Sequence, residues 1–200
     1  MKISKLELTN FRGYRSVTVE FDSNFNVIIG KNDVGKSTIL DALEIFFNND
    51  TVKIDIGDYN VHVGNEDFMA IQVSFKPEEK EYTIDTIPTN LKKEFLLDAE
   101  NNLTVKKIWN CSKDKLSAAS LKTYLIAHYP SVFDTPLITM KIDDLKTLLG
   151  NYNDHLDVSE VKKNKSSSIR QAIYEVETLD SFSTVEIAID QQDGKKFGIH

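Results

Sequence analysis

Residues 25–47 read FNVIIGKNDVGKSTILDALEIFF, and the eight at positions 30–37, GKNDVGKS, set the terms for everything else. They match G-x-x-x-x-G-K-[ST] in full, the pattern of a phosphate-binding loop. Each residue type has a physical reason to be there. Gly30 and Gly35 let the backbone turn tightly, so that successive N–H groups of Lys31, Asn32, Asp33 and Val34 can face phosphate oxygens. Lys36 adds a point charge suited to β- and γ-phosphates. Ser37 offers a hydroxyl as a Mg2+ ligand, and Thr38 reaches an α-phosphate from the first helical turn. The N-terminus of the following helix contributes further N–H donors and a partial positive charge. The flanks agree with the pattern. Phe25 to Ile29 is a short apolar run of the kind a fully buried strand uses. Ile39, Leu40, Leu43, Phe46 and Phe47 recur at helical spacing, with Asp41 and Glu44 off the main stripe. A strand, a glycine-rich turn and a helix in that order predict binding of a nucleoside triphosphate, with Mg2+ at Ser37.

Upstream, Leu6 and Leu8 alternate with polar residues, as do Val17, Val19 and Phe21. These are two half-buried strands joined through Arg12-Gly13-Tyr14. Downstream, Ile71, Val73 and Phe75 make a strand that Pro77 stops. Asn101-Asn102 reads as a turn before a strand through Leu103 and Val105. Leu116 to His128 and Asp143 to Leu149 read as helices, the second with Asp143 as N-cap. Lys162 to Ser168 reads as a loop, a helix starts at Ile169, and Val185, Ile187 and Ile189 form a last strand before the Asp193-Gly194 turn.

Composition bounds the answer. The chain has 200 residues, 40% hydrophobic and 28% charged, with a net charge of −7. That excludes a chain basic overall, and any nucleic-acid contact has to be local. The first 40 residues carry six bases against four acids, so the acidic excess lies downstream. One cysteine, Cys111, allows no intrachain disulfide, and no Cys/His spacing fits a zinc site. No apolar run approaches membrane-spanning length, and the alternating N-terminus is unlike a signal peptide, so a cytoplasmic location is expected.

Other chemistry is weaker. Asp55, Asp58, Asp143 and Asp144 fit capping and turns better than metal ligation. His62, His128 and His155 have no partner at ligand spacing. Gln72 fits an exposed strand position, Trp109 fits the core or a subunit contact, and Lys162–Lys165 fits a solvated loop. A GTPase would need Asn-Lys-x-Asp, whereas Asn164-Lys165 is followed by Ser166-Ser167. A small nucleotide kinase usually begins with the loop strand, but about 24 residues of β structure precede it here.

LELTNFRGYRSVTVEF (6–21) followed by NVIIGKNDVGKSTILDALEIFF (26–47) resembles the start of the SMC/RecF-like ATPases. The likeness is nearest to the overcoming-lysogenization-defect (OLD) family of ATP-dependent endonucleases, and it is specific over residues 3–47. The resemblance implies an α/β phosphate-loop ATPase head of the ATP-binding-cassette type, its N-terminal part carrying an antiparallel β flank and the start of a helical or mixed insertion. Residues 1–76 would be the N-terminal lobe and 77–200 the remainder with an insertion or dimerisation region. It further implies homodimers or higher homo-oligomers that sandwich ATP between heads, DNA as a target, and an accessory defence protein as a partner in antiphage defence or DNA repair. By the same resemblance Lys36 is catalytic, Asn32 orients phosphate or the attacking water, and Arg12 lies near the nucleotide.

The sequence also departs from that family. Hydrolysis calls for a Walker B strand ending in Asp-Glu, and Asp-Glu occurs nowhere in the chain. Val185–Asp190 continues as Gln191-Gln192. A Leu-Ser-Gly-Gly signature is missing, and no Asp-x-Asp pair of the nuclease type is present. The expectation is a head whose second half and nuclease lie beyond His200. The alternative is a nucleotide-gated binding subunit that does not hydrolyse ATP and associates with a separate partner.

Overall fold

A computed structural model describes residues 1–30, 35–48, 51–62, 64, 66–78, 81–84, 87–152 and 161–189. The chain divides into two compact units, Met1–Pro77 with Thr104–Tyr124, and Glu78–Leu103 with Leu125–His200.

The first unit is an antiparallel sheet with one helix on it. Strands β1 (Lys2–Phe11) and β2 (Tyr14–Glu20) form the expected hairpin, Leu6 facing Val19 and Leu8 facing Val17. β1 pairs on its other edge with β3 (Phe68–Lys76), Leu6 opposite Val73 and Leu8 opposite Ile71. β6 (Leu103–Asn110) lies beyond β3, and the start of β7 (Leu121–Pro130) lies beyond β6, giving the order β2-β1-β3-β6-β7. The two-residue period puts Leu6, Leu8, Ile71, Val73, Trp109 and Cys111 on one face. Against them packs α1 (Lys36–Phe46), through Ile39, Ala42, Ile45 and Phe46. The helix is where the spacing puts it, but its buried stripe is rotated. Leu40 and Phe47 are exposed, and Ala42 and Ile45 take the contact instead.

Two further expectations are corrected. Phe25–Ile29 is not a buried strand. It is irregular and open to solvent, with Phe25 78% and Ile29 88% exposed. A strand buried on both faces needs neighbours on its edges, and both edges of β1 are taken by β2 and β3. No strand among the described residues pairs with 25–29. Residues 116–128 are not a helix either. A single 3-10 turn at Ala118–Ser120 leads into β7, where Leu125, Ala127 and Tyr129 are buried alternately. The period of two overrides the leucine spacing that suggested a helix.

The second unit holds the end of β7, β8 (Phe182–Ile189) beside it, and a short hairpin of β4 (Tyr82–Ile84) and β5 (Ile87–Thr89). Helix α2 (Ile142–Gly150) has Lys141 at its N-cap, two residues before the Asp143 read as the cap, so Asp143 and Asp144 fall in its first turn. Asp143 instead accepts a hydrogen bond from Lys146 at 3.0 Å. Helix α3 (Ser166–Val176) starts three residues before the predicted Ile169. α2 and α3 pack through Leu145, Leu149, Ile169 and Ile173 around Tyr129 and Tyr174. The two tyrosine hydroxyls lie 2.6 Å apart and share a hydrogen bond, and Tyr129 also accepts the Leu137 N–H at 2.8 Å. The Asp193-Gly194 turn and His155 fall outside the described residues.

Near the end of α3 the Tyr152 hydroxyl donates to the Glu177 carboxylate. Burial and that carboxylate push its pKa up to about 12. The protonated form is therefore favoured in the folded state. Its stabilising contribution is complete below the ordinary value of 10 and is lost as pH rises through about 12. In an ultraviolet titration, wild type is expected to hold back a tyrosine that ionises near that pH. Tyr152→Phe should remove that late step, and an unchanged curve would contradict the assignment.

Candidate functional site: the N-terminus of α1

Of the phosphate-loop pattern, Gly35, Lys36 and Ser37 lie at the start of α1, followed by Thr38. Gly35 is the N-cap, in the left-handed region at φ 81°. A Cβ there would lie 2.7 Å from Cζ of Tyr14, so the position excludes a side chain both by conformation and by space. Lys36 opens the helix, with Ser37 and Thr38 completing its first turn. Among the described residues, no side chain caps this terminus and no acid occupies the first turn. The leading N–H groups of a helix have no intrahelical acceptor and suit an anionic partner. The Lys36 Nζ curls back and donates to the Gly30 carbonyl at 2.6 Å. Lys31, Asn32, Asp33 and Val34 lie outside the described residues.

Two cations fix the helix that carries this terminus. Arg12 follows β1 with φ 48°, a left-handed conformation that re-aims its side chain. Its Nε donates to Asp58 at 2.7 Å and its Nη1 to Asp41 of α1. Burial works against the Arg12 charge, but the two carboxylates outweigh it and hold its pKa above the ordinary value. Asp58 is itself held by a single 3-10 turn at Ile56–Asp58, where Asp55 caps Gly57 and Asp58 accepts the Asp55 N–H. Asp55 and Asp58 therefore serve capping, as expected, and Asp58 additionally serves Arg12. Arg12 sits in the turn between β1 and β2, with its side chain tied to Asp41 in the second turn of α1 and to Asp58.

At the other end of α1, Lys107 of β6 donates to the Phe46 carbonyl and to Asn48 Oδ1, each at 2.7 Å. A cation against the last carbonyls complements the helix dipole. Burial lowers the Lys107 pKa. Sequence reading missed Lys107, Tyr14, Asp41 and Asp58 as site-building residues. Only Asp41 left a trace, as an acid off the apolar stripe of the helix.

The other candidates lie elsewhere. Gln72 donates to Glu7 across the sheet, and Trp109 is buried in the core against α1. His128 stacks on Phe182 at 5.3 Å in the second unit. Among the described residues, no three His, Cys, Asp or Glu side chains form a metal-holding group, and no helix is long and apolar enough to cross a membrane.

Several proteins are similar to part of this chain. The DNA replication and repair protein RecF of Oceanobacillus iheyensis is 47% identical over 45 residues, 22% of this chain and 12% of that protein. RecF of Clostridioides difficile is 25% identical over 108 residues, 48% of this chain and 29% of that protein. The DNA double-strand break repair Rad50 ATPase of Archaeoglobus fulgidus is 32% identical over 68 residues, covering 30% and 8%. The chain thus spans less than a third of the length of these relatives. Among solved structures, the Smc head domain of Pyrococcus yayanosii matches with a TM-score of 0.41 at 21% identity, covering 62% of this chain and 22% of that one. A family model described as the AAA ATPase domain matches residues 1–198, nearly the whole chain, and the protein belongs to that family.

Proposed function

We propose that this chain binds ATP with Mg2+ at the N-terminus of α1, as the N-terminal part of a head of the SMC/RecF kind. The observation that carries the reading is the N-terminus of α1 itself, entered through the left-handed Gly35, opened by Lys36 and followed by Ser37 and Thr38 in its first turn. That arrangement supplies N–H donors, a helix dipole and a cation at one point, which is what a polyphosphate needs. In this reading Gly30 to Val34 wrap the phosphates, Lys36 meets the β- and γ-phosphates, Thr38 meets the α-phosphate and Ser37 ligates Mg2+. The metal, when bound, offsets phosphate charge. Arg12 acts through Asp41, holding the helix in place, as a positioning residue.

Titration with a fluorescent ATP analogue tests the reading. Lys36→Ala is expected to weaken binding by about 10- to 100-fold, the loss of one charge-assisted contact. Its melting curve should stay close to wild type. Equal affinity of the two proteins, or no binding by wild type, would overturn the reading.

Turnover is a further part of the proposal. The chain holds no Asp-Glu to serve as a Walker B end, and among the described residues no strand pairs with the exposed apolar segment 25–29. The first feature supports a catalytic carboxylate supplied from outside residues 1–200. The resemblance to OLD nucleases extends this to DNA cleavage in antiphage defence or DNA repair, with dimeric heads and the cutting residues likewise outside. If residues 1–200 alone hydrolyse ATP well above background in a Lys36-dependent way, the external carboxylate is wrong. Binding without turnover, even in the presence of every other segment of the protein, would favour the nucleotide-gated binding subunit.

A further inference from the structure

The face of the first unit's sheet that points away from α1 carries a feature the α1 site does not use. Along β6 the buried set Trp109 and Lys107 faces the helix, so Lys106, Ile108 and Asn110 face the other way. The 111–120 connection and this outer face together line an open concavity of about 530 Å³. That volume is in the range of small-ligand sites. Its lining has a definite chemistry. Lys106, Lys113 and Lys122 contribute three ammonium groups, Phe68 and Tyr124 contribute two aromatic rings, and none of the eleven lining residues is acidic. Among the described residues, Lys113 and Lys122 make no ion pair. In a chain of net charge −7, three cations around one concavity without a carboxylate form a local anion-attracting site. The rings beside them suit a planar aromatic group joined to the anion.

We propose that this cavity is a second nucleotide site, separate from the α1 terminus, which takes one base against Phe68 and Tyr124 and its phosphate against the lysines. The nucleotide comes either as a free mononucleotide or as one unit of a single strand, since both present the same ring and phosphate. The lysines act as point charges and impose no base identity. The two sites lie on opposite faces of one sheet, so occupancy of one leaves the other sterically open.

The proposal is independent of whether α1 binds ATP, and the test keeps them apart by using Lys36→Ala protein throughout. Fluorescent ADP and a 5′-labelled decathymidylate are titrated separately into that protein. Saturable one-to-one binding of either is the expected result, and it should weaken tenfold or more on adding Lys113→Glu and Lys122→Glu. Both substituted positions are exposed, so melting curves should superpose. ADP binding that the oligonucleotide fails to displace assigns the site to a free nucleotide. Oligonucleotide binding alone, weakening as salt rises, assigns it to a strand. Failure of both probes to bind, or binding indifferent to the two charge reversals, overturns the proposal and leaves the ATP reading at α1 untouched.

Discussion

Replacing Glu94 with alanine is expected to destabilise the second unit by about 3–5 kcal/mol, the cost of leaving a buried charge without its partner. Arg170 of α3 is fully buried, and its Nε donates to Glu94 Oε2 at 2.8 Å, with both side chains at 1% exposure or less. Removing Glu94 takes away the carboxylate that Arg170 faces, with the Tyr129 and Tyr174 hydroxyls in electrostatic reach of both. A loss of that size lowers the thermal midpoint by roughly 10 °C for a chain of this length. Arg170→Met should cost a similar amount, because it strands Glu94 instead. The double replacement Glu94→Met with Arg170→Met should be much milder than either single change, since two apolar groups of like volume leave no charge behind. Thermal unfolding of the four proteins checks this. If the double variant loses as much as the two singles together, the pair contributes by shape and not by mutual neutralisation.

That ion pair also marks where sequence reading reaches its limit. Glu94 and Arg170 are 76 positions apart, and neither sits in a pattern that announces burial. Arg170 occupies a helix whose apolar stripe was visible, yet nothing local distinguishes it from a solvated arginine. The same holds for Lys107, which looks like any strand lysine until the end of α1 lies beneath it. By contrast, β1, β2, β3 and β8 were legible because alternation along a half-buried sheet is a local property. The phosphate loop was legible for a different reason: its residue types are dictated by contact with phosphate, whatever surrounds them. Two failures share one cause. Phe25–Ile29 reads as a buried strand from its own apolarity, but burial depends on neighbours, and none is present among the described residues. Leu116–His128 reads as a helix from leucine spacing, while the alternation of Leu125, Ala127 and Tyr129 records the packing that decided the matter. Arg12 falls between these cases. The resemblance gives it a place near the nucleotide, whereas its partners Asp41 and Asp58 come from 29 and 46 positions away.

Gly35→Val is expected to weaken nucleotide binding by about a hundredfold or more while moving the thermal midpoint only slightly. Gly35 has φ 81°, where an L side chain costs on the order of 1–2 kcal/mol and a β-branched one more. The added Cβ would also overlap the Tyr14 ring. The loop can relieve both by turning Gly35 back to negative φ, because it lies at a helix end and not in the core. That relief re-aims the leading N–H groups of α1 and the Lys36 stem, so the cost falls on binding and not on folding. Gly35→Ala separates the two contributions. It carries the smaller backbone cost of an unbranched side chain with a smaller overlap, and about tenfold weaker binding is expected. Adding Tyr14→Ala removes the overlap and leaves the backbone penalty, so the Gly35→Ala, Tyr14→Ala protein should recover only part of that tenfold. Full recovery would mean that glycine is needed there for space alone. No recovery would mean that the left-handed conformation accounts for the whole effect. A loss of binding matched by an equal loss of stability would place the strain in the core beneath α1, and the account of the loop given above would be wrong.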